Sequence, residues 1–98
     1  MIAIRKTLAQ LLDTNWTVYI IRADDDSLYT GVTTDVERRF NEHSCSSRGA
    51  RFFNGRRPLE VVYTETGHTR SSACVREARI KKMNRAEKLA LLGDRACA

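Results

Sequence analysis

The sequence predicts an α/β domain: a small three-stranded, mainly antiparallel sheet flanked by helices. Three observations carry this. Two runs rich in β-branched and aromatic residues are separated by a short acidic turn. Apolar residues recur at helical spacing behind residues suited to capping. A third β-rich run falls between two such helical stretches. The predicted order is helix, strand, strand, helix, strand, helix, helix. A sheet of this size must bury its apolar surface against the helices.

At the N-terminus, Ile4, Leu8, Leu11 and Leu12 form a helical stripe that Asp13-Thr14-Asn15 ends. The stripe suits packing on the domain or a contact between copies. Membrane docking is disfavoured, because its polar face is short of basic residues. Trp16 then introduces the first strand as a core or edge plug. The first strand is Thr17-Val18-Tyr19-Ile20-Ile21-Arg22 and the second is Leu28-Tyr29-Thr30-Gly31-Val32. A turn centred on Asp25 sets Ile21 opposite Tyr29 and Tyr19 opposite Gly31. Side chains alternate faces, so Tyr19 and Tyr29 then lie diagonally on one face, within reach of each other. Gly31 is expected to leave room there for a ligand or another backbone.

Thr34-Asp35-Val36-Glu37 has capping-box spacing, with the Thr34 hydroxyl as the cap and a carboxylate three residues on. Val36 and Phe40 pair at i, i+4, as do Arg39 and His43 on an adjacent face. Two phenols, a guanidinium and an imidazole are thereby expected to line one concavity. Residues 44–57 are a polar loop holding Arg48, Arg51, Arg56 and Arg57 around Phe52-Phe53. Such a mixture can hold phosphates and stack bases. Alternatively, at least one phenylalanine enters the core and fixes the loop. Residues 59–65 form the third strand, with Pro58 at its edge and Gly67 closing it. Ser71 or Ser72 caps the next helix, which runs to about Met83, with Glu77 beside the apolar Ile80 and Cys74 as a small buried residue. Asn84-Arg85-Ala86-Glu87 caps the last helix, continued by Leu89 and Leu92 and stopped by Gly93. The expected units are a helical extension over 1–15, one domain over 16–93 and a tail over 94–98.

Composition bounds the function classes. The 98 residues suffice for one domain of modest core. No apolar run approaches the roughly 20 residues that span a bilayer. The N-terminus lacks the layout of a signal peptide. Cys45, Cys74 and Cys97 have neither disulfide-framework nor metal-ligand spacing. A cytoplasmic location is therefore expected. Residues 1–47 carry five Lys/Arg and seven Asp/Glu, whereas residues 48–98 carry twelve and five, so the basic charge is concentrated in the second half. That half suits a polyanionic partner, and its arginines suit phosphate in particular.

Val18-Tyr19-Ile20, followed about ten residues later by Tyr29-Thr30-Gly31, resembles the GIY-YIG nuclease signature. Arg39 at matching spacing, His43 after it and Glu77 on a later helix extend the resemblance. The wording Tyr29-Thr30-Gly31-Val32-Thr33-Thr34-Asp35-Val36-Glu37-Arg38-Arg39-Phe40 is similar to that of the small one-domain bacterial YhbQ-like members. So are Gly49-Ala50-Arg51, Arg56-Arg57-Pro58-Leu59 and Arg76-Glu77-Ala78-Arg79-Ile80-Lys81. The likeness covers about residues 16–92. Thr17 stands where the first signature glycine would be, a structural position.

The resemblance implies a metal-dependent DNA endonuclease selective for DNA structure or strand state and active in DNA processing or repair. Tyr19 would be the general base or orient water, and Tyr29 would hold the water or the scissile phosphate. Which tyrosine is the base stays open. Arg39 would stabilise the transition state, a task its permanent bidentate cation suits. His43 would assist as acid/base or by hydrogen bonding. Glu77 would hold a single Mg²⁺ or Mn²⁺, hard cations that take oxygen ligands. Arg48, Arg51, Arg56, Arg57 and Lys81 would contact DNA, or RNA as the second candidate. The expected state is a monomer or weak homodimer. Simpler readings stand beside these: His43 as a helix-terminal cation, Glu77 as a solvated helix residue, and the whole as a non-catalytic nucleic-acid-binding module. Asn84 reads as a cap and His68 has no matching role.

Overall fold

The computed structural model describes residues 14–45 and 48–97. The Ile4–Leu12 stripe lies outside the described residues. Strand β1 (Trp16–Ala23) sits at the centre of the sheet, with β2 (Leu28–Thr33) and β3 (Pro58–His68) antiparallel on either side. Helix α1 (Val36–Ser44) follows β2, and a single 3-10 turn (Arg51–Phe53) precedes β3. Helices α2 (Arg70–Lys81) and α3 (Arg85–Cys97) complete the chain. Among the described residues no helix is long and apolar enough to cross a membrane.

The apolar run in β1 explains its central place. Val18, Tyr19, Ile20 and Ile21 are all buried, and neighbours alternate between two separate clusters. On one face Val18 and Ile20 pack with Tyr63 and with Ala73 and Ile80 of α2, joined by Leu91 and Leu92 of α3. On the other, Tyr19, Ile21 and Ala23 pack with Phe53, Val36 and Phe40. Both faces of β1 are covered, and full burial of each large side chain contributes about 1.5–3 kcal/mol. The hairpin register is as expected: Tyr19 pairs with Gly31 and Ile21 with Tyr29. Asp26, at φ 70, supplies the left-handed turn residue, a conformation that Asp tolerates better than most residues.

Several boundaries differ from expectation. The cap of α1 is Asp35, whose side chain accepts from the Arg38 amide at 3.0 Å, while the Thr33 hydroxyl accepts from the Asp35 amide at 3.1 Å. The helix begins one residue later than Thr34 would start it, because a carboxylate caps at least as well as a hydroxyl. The cap of α2 is Thr69 rather than Ser71 or Ser72. Thr69 and Ser72 exchange side-chain-to-amide bonds, both of 3.1 Å. Gly67 does not close β3. At φ 79 it forms a bulge between the pairs Val18–Glu65 and Trp16–His68, and the strand continues to His68. Gly93 does not stop α3, which runs to Cys97; a helix-interior glycine costs about 1 kcal/mol and need not end the helix. The expected Asn84–Glu87 box is present, with bonds of 2.9 and 2.8 Å. Cys74 is exposed, not buried. The sheet-facing residues of α2 are Ala73 and Ile80, seven apart, and Cys74 lies about 100° round the helix from Ala73.

Candidate active site

Tyr19 is 1% exposed and projects from the central strand onto the face covered by α1. Its ring lies across Gly31. A Cβ built on Gly31 would stand 2.5 Å from the phenol oxygen and 2.6 Å from Cζ. The space expected there for a ligand is thus filled by Tyr19 itself. Tyr29 is half-buried on the same face, its ring centroid 6.2 Å from that of Tyr19.

Helix α1 delivers the next two groups. The His43 ring is 2% exposed, with Nε2 hydrogen-bonded to Tyr19 Oη at 2.8 Å and the centroid 5.2 Å from Tyr29. The reading of His43 as a helix-terminal cation is corrected. Burial, and then the Arg39 charge, push its pKa down to about 4, so the ring is neutral at pH 7. The Ala50 amide donates to His43 Nδ1 at 3.1 Å. Arg39, half-buried one turn earlier, donates through Nη1 to Glu42 at 2.9 Å and to the Arg48 carbonyl at 3.0 Å. Burial raises the Tyr19 pKa, the Tyr29 hydroxyl adds to this, and the Arg39 cation opposes both.

Glu77 comes from α2, which packs on the opposite face. Strand β2 is an edge strand, and α2 reaches round it: Lys81 Nζ lies 3.2 Å from the Glu77 carboxylate and 5.7 Å from the Tyr29 ring centroid. The Glu77 charge also acts on Tyr19, raising its pKa slightly. Tyr19, Tyr29, Arg39 and His43 therefore form one contiguous group, and Glu77 with Lys81 borders it. Lys81 belongs to this border rather than to the basic loop. Among the described residues no cluster of three or more His, Cys, Asp or Glu side chains could hold a metal. A single half-buried carboxylate fits Mg²⁺ or Mn²⁺ that keeps most of its ligands as water and substrate oxygens.

The loop arginines divide. Arg56 is committed: Nε donates to Asp25 at 2.8 Å, Nη1 to the Phe52 carbonyl at 3.0 Å, and the guanidinium lies 4.4 Å from the Phe52 ring centroid. The Arg57 backbone exchanges bonds with Asp24. Among the described residues Arg48, Arg51 and Arg57 form no ion pair. Phe53 is buried and Phe52 half-buried against Tyr29, so the loop is fixed by its aromatics. A cleft of about 280 Å³, lined by residues that include His43, Gly49, Ala50, Arg51 and Phe53, opens beside the imidazole. The larger cleft, about 590 Å³, lies on the outer side of α1 and includes none of the four contiguous residues. A site for a polymer need not be the cleft of greatest volume.

Sequence reasoning missed three contributors: Glu42, Gly49 and the Ala50 amide. Glu42 was detectable from its i, i+3 spacing to Arg39. The other two act through backbone, which side-chain patterns do not report.

A sheet with this hairpin and this tyrosine, arginine and histidine grouping defines a class. The family model described as the GIY-YIG catalytic domain matches residues 15–90. The chain belongs to the GIY-YIG family, a nuclease superfamily. Within it the chain is similar to UPF0213 proteins. It is 46% identical over 77 residues to one from Desulfotalea psychrophila, covering 79% of this chain and 70% of that protein. It is 40% identical over 83 residues to UPF0213 protein YhbQ of Escherichia coli, covering 85% and 82%. The solution NMR structure of a UPF0213 protein from Bacillus halodurans shares the fold with a TM-score of 0.52 at 37% identity, over 80% of this chain and 82% of that one.

Proposed function

We propose that the protein is a metal-dependent DNA endonuclease, selective for DNA structure or strand state, that acts in DNA processing or repair in the cytoplasm as a monomer or weak homodimer. The observation that carries this reading is the convergence of Tyr19, Tyr29, Arg39 and His43, with Glu77 at the border. Hydrolysis forms a bond from a water oxygen to phosphorus, breaks the bond to the leaving oxygen, and moves a proton from the water to that oxygen. One of the two tyrosines orients the water through its hydroxyl or, as the phenolate, takes the water's proton and returns it to the leaving oxygen. An Mg²⁺ or Mn²⁺ held by Glu77 would supply charge to the scissile phosphate. Arg39 faces the same concavity and binds the oxygens on which charge grows, an effect strongest where bulk water is excluded. Arg48, Arg51 and Arg57 supply the cations to hold the flanking phosphates.

The test is incubation of purified protein with single-stranded, duplex and branched DNA, with and without Mg²⁺ or Mn²⁺. Cleavage only with metal, preferring one DNA form, is expected. Binding without cleavage under every metal condition would overturn the enzymatic reading and leave a nucleic-acid-binding module.

A further inference from the structure

We infer that the backbone of Gly49 and Ala50 sets the tautomer of His43, so that His43 can only donate to the Tyr19 hydroxyl and cannot take its proton. The argument begins at Nδ1. The Ala50 N–H is an obligatory donor, and it meets Nδ1 at 3.1 Å, so Nδ1 presents its lone pair. A neutral imidazole has one proton, which must then sit on Nε2. Nε2 is the atom 2.8 Å from Tyr19 Oη. The bond therefore runs from His43 to the phenol oxygen, and the phenol's own proton points elsewhere. A base must offer a lone pair to the proton it abstracts, and the nitrogen facing Tyr19 has none. Burial and the Arg39 cation keep the ring neutral at pH 7. The charged groups around it are Arg39 and Glu42 on its own helix, with the Tyr19 and Tyr29 phenols across from it.

Gly49 makes this contact possible. A Cβ there would lie 2.8 Å from His43 Cα, 3.0 Å from the Glu42 carbonyl oxygen and 3.1 Å from that of His43. All three are backbone atoms of α1, so any other residue lifts the loop and draws the Ala50 amide off Nδ1. Arg39 grips the same loop through the Arg48 carbonyl. Gly49 and Ala50 are thus positioning residues. Their effect on Tyr19 is to leave its oxygen facing an N–H, which stabilises negative charge on that oxygen better than a lone pair would and so opposes the rise that burial imposes on its pKa. The catalytic meaning of this rests on the nuclease reading; the tautomer itself does not.

The experiment is therefore chosen to need no substrate. In the uniformly ¹⁵N-labelled full chain at pH 7, ring proton-to-nitrogen correlations of His43 should show a protonated-type Nε2 and a bare-type Nδ1. A nitrogen–nitrogen coupling across the hydrogen bond should link Nδ1 to the Ala50 amide. Gly49→Ala should abolish that coupling and shift both ring nitrogens toward the averaged values of mixed tautomers. A protonated Nδ1 or averaged shifts in the wild type overturn the inference. So does an unchanged tautomer in Gly49→Ala that has lost the coupling. If Gly49→Ala does not fold, the wild-type tautomer and coupling decide alone. A protein that shows this tautomer yet cleaves no DNA under any metal condition refutes the nuclease reading only.

Discussion

Tyr19 lies across Gly31, and the two residues fit only because position 31 has no Cβ: a methyl group there would stand 2.5 Å from the phenol oxygen. Gly31→Ala must therefore displace a ring that is almost fully buried. Overpacking of this kind costs about 1–3 kcal/mol. The displaced hydroxyl also leaves His43 Nε2. The expected outcome is a lower melting temperature together with at least about a tenfold loss of cleavage, since small misplacements of reacting groups cost heavily. Full activity in Gly31→Ala would show that Tyr19 does not act from this position.

The stability of the fold should depend on pH through His43. In the unfolded chain an imidazole takes up its proton near pH 6.5, whereas in the folded chain its pKa is about 4. Between these values the unfolded state binds more protons, so stability falls as pH falls. The contribution is complete above about pH 6.5 and is lost progressively toward pH 4, by up to about 3 kcal/mol. Melting curves at pH 7 and pH 4.5 should show a smaller difference in His43→Gln than in the wild type. Carboxylates titrating in the same range are common to both proteins and cancel in the comparison. Equal pH dependence would mean that the imidazole is not held neutral.

The basic loop should separate into binding and structural arginines. Arg51 is exposed and forms no ion pair among the described residues. Arg51→Ala should weaken DNA binding on all sequences and reduce the salt slope by about one, as expected for one lost phosphate contact. Arg56 is held by Asp25, the Phe52 carbonyl and the Phe52 ring. Arg56→Ala should instead loosen the loop, lowering the melting temperature while leaving the salt slope near that of wild type. The reverse pattern in fluorescence-anisotropy titrations would assign the phosphate contact to Arg56.

How much was legible follows from what each element depends on. The hairpin register followed from a short turn centred on Asp25; burial alone does not set it, because Val18 and Ile20 face one cluster and Tyr19 and Ile21 the other. The tyrosine pair and the Arg39–His43 pair followed from that register and from i, i+4 spacing. Helix ends were less legible because hydroxyls and carboxylates compete: Thr34 and Asp35 can each cap α1, and Thr69, Ser71 and Ser72 can each cap α2. The fate of Arg56 was not readable at all, since its partner Asp25 lies 31 residues away across the fold. The donor to His43 Nδ1 is a backbone amide, and every residue but proline has one.

The strongest prediction concerns Arg39 and Glu77. Arg39 is half-buried beside Tyr19, where it counteracts the rise in the phenol's pKa. Arg39→Ala removes a cation poised for charge that grows in the transition state. Loss of one such donor commonly costs about 10²–10³ in rate. It also releases Glu42 and the Arg48 carbonyl, so some loss of melting temperature should accompany it. Glu77→Ala should be at least comparably damaging to metal-dependent cleavage. Its side chain pairs only with the partly exposed Lys81 among the described residues, so the fold should hold and DNA binding should survive. Arg38 provides the control. It is exposed and pairs with Asp35 at 3.9 Å and, at 3.2 Å, with the Glu42 oxygen that Arg39 does not use, so its removal leaves the Arg39–Glu42 pair in place. Arg38→Ala should therefore keep most of the activity. Cleavage rates and melting temperatures should be measured for the three variants side by side, in preparations cleared of contaminating nucleases. Near-wild-type cleavage by Arg39→Ala or Glu77→Ala would remove that residue from the proposed site, because neither effect could then be assigned to charge at the scissile phosphate.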